Sequence, residues 1–166
     1  MKPETLLEML HTAEKLKDTT RHSYTSRGRH ESVAEHSWRL ALMAFWMKEE
    51  FPGLDMNRVM QMCLIHDLGE CFTGDIPVFA KTEADRDKED ALLKDWVNSL
   101  PQPIGEEMAA LYHEMEERQT PEAKLYKALD GLEALIQHNE SDISTWIELE
   151  YSLNRTYGND KVAFSE

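Results

Sequence analysis

The chain has 166 residues, of which 41% are hydrophobic and 30% charged, and its net charge is −14. These values are typical of a soluble globular protein and predict one domain spanning residues 1–166. The negative charge argues against nucleic acid as a partner, because a phosphate backbone attracts cationic surfaces. No apolar run approaches the ~18 residues that a membrane helix needs.

The amino terminus and the cysteines predict a cytoplasmic protein. Residues 1–5 lead directly into an amphipathic helix, without the apolar core of a signal peptide. Cys63 and Cys71 form no C-x-x-C pair, and two cysteines are too few for a disulfide framework. We therefore expect two free thiols near the core.

Helical periodicity dominates the chain and predicts an all-α fold. A capping box at Ser32 and Glu35 begins the second helix, and Asp55 begins the third. The predicted helices cover, in chain order, about residues 6–16, 32–50, 55–67, 83–99, 104–118, 121–139 and 142–157. No stretch shows the period-two alternation that is typical of a strand.

A basic loop is expected between the first two helices. Residues 21–30 contain three arginines, two histidines and no acidic residue. On an acidic protein such a patch can draw a small anion into a cleft. The alternative is a solvated loop whose charges are incidental.

Four residues in apolar surroundings predict a metal site. His66 and Asp67 stand side by side within the apolar stretch 60–69, His36 lies on the apolar stripe of the second helix, and Asp130 lies beside a later stripe. Imidazoles and carboxylates are costly to bury without partners, and one divalent cation satisfies all four. Each histidine taken alone has a simpler interpretation, as a hydrogen-bonded residue of an ordinary core.

The donor set of two imidazoles and two carboxylates indicates the chemistry of this site. It balances a divalent charge and is harder than a thiolate zinc site, so cobalt, manganese, iron, nickel and zinc all stay open. Four protein ligands around a six-coordinate ion leave room for water and a substrate oxygen. Such an arrangement is suited to hydrolysis.

Two further carboxylates are candidates for proton transfer. Glu70 is i+4 from His66 and i+3 from Asp67, so on a helix it projects toward the same region and can position or deprotonate water. Asp75, in the following turn, can deliver a proton to the leaving oxygen. The alternatives are a surface glutamate and an ordinary Gly-Asp turn.

Other positions have less specific interpretations. Glu133 and Gln137 share a helical face with Asp130, either as partners of the ligands or as part of a solvated face. Trp38 and Trp46 fall within a helix and are expected in the core or in an interface.

These residues resemble the HD-domain metal-dependent phosphohydrolases. His36, His66-Asp67 and Asp130 match the H…HD…D signature of that family. The segments ESVAEHS at 31–37 and HDLGECFTGDIP at 66–77 resemble its 5'-deoxynucleotidase (YfbR-like) branch. The likeness extends over roughly residues 5–150.

The resemblance implies a compact single-domain helical bundle of the HD-domain type with one catalytic divalent cation. It also implies hydrolysis of deoxynucleoside 5'-monophosphates and, commonly, a homodimer. Arg21 matches the arginine that contacts the substrate phosphate, and Glu70 and Asp75 fall on the catalytic acidic positions. Many members carry a tryptophan shortly after this arginine, and here Tyr24 is the predicted substitute as a stacking surface.

Two other functions stay open. One is a phosphodiesterase or alarmone hydrolase of the same superfamily, which releases a monophosphate ester or pyrophosphate instead of free phosphate. The other is a non-catalytic regulator that binds nucleotides and keeps the metal for structure.

Overall fold

Helices dominate the computed structural model, which describes residues 1–165. Their bounds are α1 (Pro3–Glu14), α2 (Val33–Trp46), α3 (Met56–Ile65), α4 (Glu70–Thr73), α5 (Glu83–Ser99), α6 (Ile104–Glu117), α7 (Pro121–Glu140), α8 (Glu148–Leu153) and α9 (Asn159–Val162). The predicted all-α fold class is confirmed. None of the helices in this part of the chain is both long and apolar enough to cross a membrane. The single domain over residues 1–166 stays a prediction, and Glu166 lies outside the described residues.

A short β-hairpin lies between α1 and α2, where the sequence predicts a loop. Strand β1 (Thr20–Tyr24) pairs antiparallel with β2 (His30–Ser32). The expectation of no strand is wrong here. Four of the five residues of β1 are half-buried instead of alternately buried and exposed, so no period-two pattern marks the strand. The basic segment is therefore held in a defined geometry.

Local sequence begins the two helices that lead to the histidines. Ser32 Oγ accepts a hydrogen bond from the Glu35 amide at 3.2 Å, and the Glu35 carboxylate accepts one from the Ser32 amide at 2.9 Å. This is the predicted capping box. The Asp55 carboxylate accepts bonds from two backbone amides at the start of α3. Helix α2 ends at Trp46 instead of Glu50, because the chain then tightens into a 3₁₀ turn.

The helix expected over 142–157 is replaced by shorter segments. A 3₁₀ turn is followed by extended backbone at Trp146 and Ile147, and α8 begins only at Glu148. The Ile147 amide donates to the Glu150 carboxylate at 2.7 Å, which stabilises this break. Helix α8 supplies residues to the wall of the cleft described below.

Helices α2, α3 and α7 pack against one another around the main core. Leu40, Val59, Met62 and Leu129 are almost completely buried there. Burying a side chain of this kind contributes about 1.5–3 kcal/mol. Because each helix turns an apolar stripe toward the other two, polar residues on or next to these stripes meet inside the protein.

Candidate functional site

The four predicted metal ligands meet in the structure. His36 lies on α2, His66 and Asp67 directly follow α3, and Asp130 lies on α7. His36 Nε2 is 3.3 Å from His66 Nε2 and 3.2 Å from Asp130 Oδ1. His66 Nε2 is 3.0 Å from Asp67 Oδ2. Atoms that bind one ion at ~2.1 Å lie roughly this far from one another, so the cluster has the dimensions of a metal site.

Both imidazoles turn the same nitrogen toward the centre of this cluster. His36 Nδ1 donates a hydrogen bond to the Glu133 carboxylate, and His66 Nδ1 donates to the Cys63 carbonyl at 2.9 Å. Because each Nδ1 is used in this way, the neutral ring keeps a lone pair on Nε2 for a metal. Glu133 and Gln137 are both buried. The solvated-face interpretation of these two residues is therefore wrong.

The carboxylates of the cluster favour a positive charge at its centre. Burial lowers the pKa of His66, but Asp67 and Asp130 outweigh it and raise that pKa to about 10. Burial raises the pKa of Asp130, yet Lys127 and the two histidines hold it well below its usual range. The proton on His66 supplies a positive charge, and a divalent ion that binds here displaces that proton. The donor set fits a divalent metal.

Arg21, the predicted phosphate contact, lies on β1 beside the cluster. Its Nη1 is 3.5 Å from Asp67 Oδ2, and its Nε is 3.3 Å from Glu31 Oε2. Glu31 lies on β2 and is 2% exposed. The pairing of the two strands thus holds the guanidinium between a buried carboxylate and a metal ligand. Sequence reasoning assigned Glu31 no role, and its only signal was its place in the ESVAEHS segment.

Glu70 and Asp75 line the same cleft as Asp67 and Asp130. Glu70 begins α4 and is 6% exposed, so the surface alternative for this residue is wrong. Its Oε2 is buried and has no hydrogen-bond partner within the described residues. Burial, with the charges of Asp67 and Asp75, raises the pKa of Glu70 to about 9. Burial also raises the pKa of Asp75. Carboxyl groups perturbed in this way can hold and transfer protons.

Tyr24 is not among the residues that line the cleft. Its ring packs against the ring of His30, with 4.1 Å between centroids, because the hairpin pairs these two residues at the end of β1. Its carbonyl accepts a hydrogen bond from Gln137 Nε2 at 2.8 Å. The stacking role expected for Tyr24 finds no support in this geometry. From the same strand, His22 lines the cleft and meets the ring of Phe79 edge-on.

The cleft has a volume of about 470 Å³, which is within the range of small-molecule sites. Apolar and aromatic residues form part of its wall, namely His22, Val78, Phe79, Leu135, Leu153 and Tyr157. Lys127 contributes to the charged part, with its Nζ 2.7 Å from Asp130 Oδ2. The sequence signal for this pair was the i,i+3 spacing of a lysine and an aspartate on one helix. A cleft lined by both charged and apolar residues suits a nucleotide.

A family model described as HD domain matches residues 13–166. The 5'-deoxynucleotidase HDDC2 of Homo sapiens is 34% identical to this chain over 140 residues, which cover 81% of this chain and 67% of the human protein. The 5'-deoxynucleotidase HDDC2 of Dictyostelium discoideum is 32% identical over 145 residues, which cover 81% of this chain and 76% of that protein.

Two solved structures are similar to this chain in fold and sequence. A predicted metal-dependent phosphohydrolase from Magnetospirillum magnetotacticum MS-1 has a TM-score of 0.74 and 31% identity, over 82% of this chain and 70% of that one. A conserved hypothetical protein from Pyrococcus furiosus has a TM-score of 0.66 and 31% identity, over 79% of this chain and 76% of that one. The resemblance found in the sequence is confirmed. This chain belongs to the HD-domain family and is a metal-dependent phosphohydrolase.

Proposed function

We propose that this chain hydrolyses nucleoside 5'-monophosphates, deoxynucleotides among them, to nucleoside and phosphate. The observation that carries the proposal is that one cleft joins Arg21 to the cluster of His36, His66, Asp67 and Asp130. The relatives named 5'-deoxynucleotidase, at 32% and 34% identity, support this substrate class.

The four clustered residues are the proposed ligands of one divalent ion, and cobalt, manganese, iron, nickel and zinc stay open. When bound, such an ion supplies Lewis acidity toward water and toward a phosphate oxygen. Arg21 binds the phosphate through its guanidinium, which presents several N–H donors in a fixed plane. Glu31 orients that plane from behind, since it contacts Nε, while Nη1 lies 3.5 Å from Asp67 Oδ2 and Nη2 is left for the substrate.

Glu70 and Asp75 are the proposed proton carriers. Glu70 Oε2 has no partner in the described chain, so it is free to accept a proton from the attacking water. The nearby cation of the loaded site favours the carboxylate form of Glu70 and lowers its raised pKa. Asp75, whose pKa burial raises, donates a proton to the 5'-oxygen as it leaves.

Phosphate release tests this function. The protein is stripped of metal with a chelator, reloaded with Co²⁺ or Mn²⁺, and incubated with dAMP, dTMP and the matching ribonucleotides. Free phosphate supports the proposal, whereas a monophosphate ester or pyrophosphate from other substrates supports the phosphodiesterase or alarmone alternative. A thermal shift with nucleotides but no product over hours supports the regulator.

A single substitution tests the role of Glu70. Glu70→Gln should lower turnover by about 10²- to 10⁴-fold, the usual contribution of a positioned acid or base. The control Glu83→Gln removes an exposed carboxylate in the first turn of α5 and should leave turnover within about twofold of the parent. Full turnover in Glu70→Gln would remove the role assigned to this residue.

We also propose a homodimer that buries the aromatic face of α2. Trp38 is 63% exposed, Trp46 is 71% exposed, and Phe45 lies on the same helical face. They are not part of the core of the described chain, and contiguous exposed apolar surface of this kind marks an interaction site. In sedimentation experiments the chain should be a dimer and the Trp38→Ser/Trp46→Ser variant a monomer. A monomeric parent chain at micromolar concentration would contradict this.

The cytoplasmic location stays a prediction.

A further inference from the structure

The cleft contains cationic side chains beyond the arginine assigned to the scissile phosphate. Six cationic and five acidic side chains line it, although the net charge of the chain is −14. Three of the cationic side chains have an acidic partner within hydrogen-bonding or ion-pair distance: Arg21, Lys81 and Lys127. The other three form no ion pair with any residue from 1 to 165: Arg86, Arg118 and Lys161.

Lys161 lies between helix α7 and the ring of Tyr157. Its side chain crosses α7 at Gly131, where a β-carbon would lie 3.2 Å from Lys161 Cδ and 3.4 Å from Nζ. Its ammonium lies over the ring of Tyr157, 4.7 Å from the centroid. Because residue 131 is a glycine and has no side chain, Lys161 can approach α7 this closely. The ammonium is therefore held beside α7, one residue from Asp130, without a carboxylate partner of its own.

Two further cations face the same part of the cleft. Lys127 and Arg118 line the cleft together with Lys161, and Lys127 Nζ lies 2.7 Å from Asp130 Oδ2, on the residue next to Gly131. Burial and the charge of Lys127 lower the pKa of Lys161, although Asp130 and Asp160 act in the opposite direction. Like charges that line one cleft repel one another unless an anion lies between them. The repulsion increases when Asp130 binds a divalent ion, because Lys127 then shares the one acid with which it pairs among residues 1–165.

We propose that Lys161, Lys127 and Arg118 form a second anion subsite, which accepts a phosphoryl group of a nucleotide other than the scissile one. The inference rests on the proposed function, which places the scissile phosphate at Arg21 and the metal ligands. The ligand class is a nucleotide with two phosphoryl groups, either a 5'-diphosphate or a 3',5'-bisphosphate. The subsite binds the second group whether or not the first is hydrolysed.

Calorimetric titration of the Co²⁺-loaded protein measures this binding directly. Every protein carries Glu70→Gln so that the ligands persist, and the ligands are dAMP, dADP and deoxyadenosine 3',5'-bisphosphate. At least one ligand with two phosphoryl groups should bind about tenfold more tightly than dAMP, which corresponds to about 1.4 kcal/mol. Tighter binding of dADP would show that the subsite recognises a phosphoryl group attached to the first phosphate. Tighter binding of the bisphosphate would show that it recognises one attached to the 3'-oxygen of the sugar.

Substitution of Lys161 assigns the effect to the subsite. Lys161→Ala should remove the tenfold advantage and change dAMP affinity by less than about twofold. Lys161→Gln keeps the packing over Gly131 and should show the same loss. The control Lys88→Ala removes an exposed lysine of α5 outside the cleft lining and should change nothing.

Two outcomes would overturn the proposal. One is equal affinity for all three ligands in the parent protein, and the other is an equal loss for dAMP and the larger ligands in Lys161→Ala. Neither depends on turnover. A chain that binds these ligands as expected but releases no phosphate would contradict the proposed function and leave the subsite in place.

Discussion

Replacing Glu133 by glutamine is expected to weaken metal binding while the chain stays folded. One oxygen of the Glu133 carboxylate accepts a hydrogen bond from His36 Nδ1, and the other lies 3.4 Å from Arg39 Nε. The carboxylate accepts the His36 bond with one oxygen and forms an ion pair with Arg39 through the other, which has no hydrogen-bond partner within the described residues. Glutamine has one oxygen and one NH₂ group, so it must turn the NH₂ group toward either His36 or Arg39.

Both orientations are unfavourable. With the NH₂ group toward His36, the ring must carry its proton on Nε2, the nitrogen that a metal needs. With the NH₂ group toward Arg39, this group faces the Arg39 N–H, and two hydrogen-bond donors repel each other. Losing a partner of a ligating histidine typically costs about 10- to 100-fold in metal affinity, or about 1.4–2.7 kcal/mol. Glu133 is 1% exposed, so water cannot replace the bond, and we expect a loss near the upper end, about 100-fold.

Competition against a chelating dye measures this loss with Co²⁺ or Zn²⁺. The control Glu140→Gln alters an acid on the same helix that also pairs with Arg39, at 2.9 Å, but is 51% exposed and has no contact with His36. Its metal affinity should change by less than about twofold. Unchanged affinity in a folded Glu133→Gln protein would refute the reasoning. An equal loss in Glu140→Gln would assign the effect to Arg39 instead.

Three further results are expected. Glu31→Gln removes the acid 3.3 Å from Arg21 Nε and should raise KM for the monophosphate about tenfold while kcat changes little; an equal fall in kcat, or no rescue by Glu31→Asp, would contradict a role through Arg21. Burial raises the pKa of Glu114, but hydrogen bonds from Arg58 and Thr120 hold it below its ordinary value. This bonding therefore stabilises the fold above the unfolded pKa of 4.5 and is lost as the pH falls through the folded pKa. Glu114→Gln should cost about 1 kcal/mol in urea unfolding at pH 7 and progressively less in acid; a difference independent of pH would refute this. Saturating the stripped protein with Co²⁺ or Mn²⁺ at about 100 times Kd should add about 2.7 kcal/mol and raise Tm by roughly 5–10 °C, and the absence of a shift would contradict the proposed ligand set.

Most of the helices and the four candidate ligands were predictable from sequence because each leaves a signal in a few neighbouring residues. The capping box at Ser32 is a local pattern, and apolar periodicity marks one face of a helix. His36 and Asp130 stand out because a polar group on or beside an apolar stripe conflicts with its surroundings. That conflict can be read without knowing what the stripe packs against.

The residues around the ligands depend on contacts between distant parts of the chain. His36 and Glu133 are separated by 97 positions; the spacing of Glu133 from Asp130 indicated a shared helical face, but it did not decide between a partner of the ligands and a solvated acid. Glu31 is buried only because two short strands pair, and Tyr24 is drawn away from the cleft by the same pairing. Lys161 enters the cleft only because α9 lies against Gly131.

The amino-acid order by itself therefore determined the helical class and singled out the family resemblance and the four candidate ligands, since each of these signals lies within a few neighbouring residues. That the four side chains meet depends on three separate segments of the chain. Tertiary packing alone decided the hairpin, the acids that orient Arg21 and His36, and the cationic wall beside Asp130. Those features depend on which distant surfaces exclude water from one another, and this is settled only when α2, α3 and α7 close around a common core.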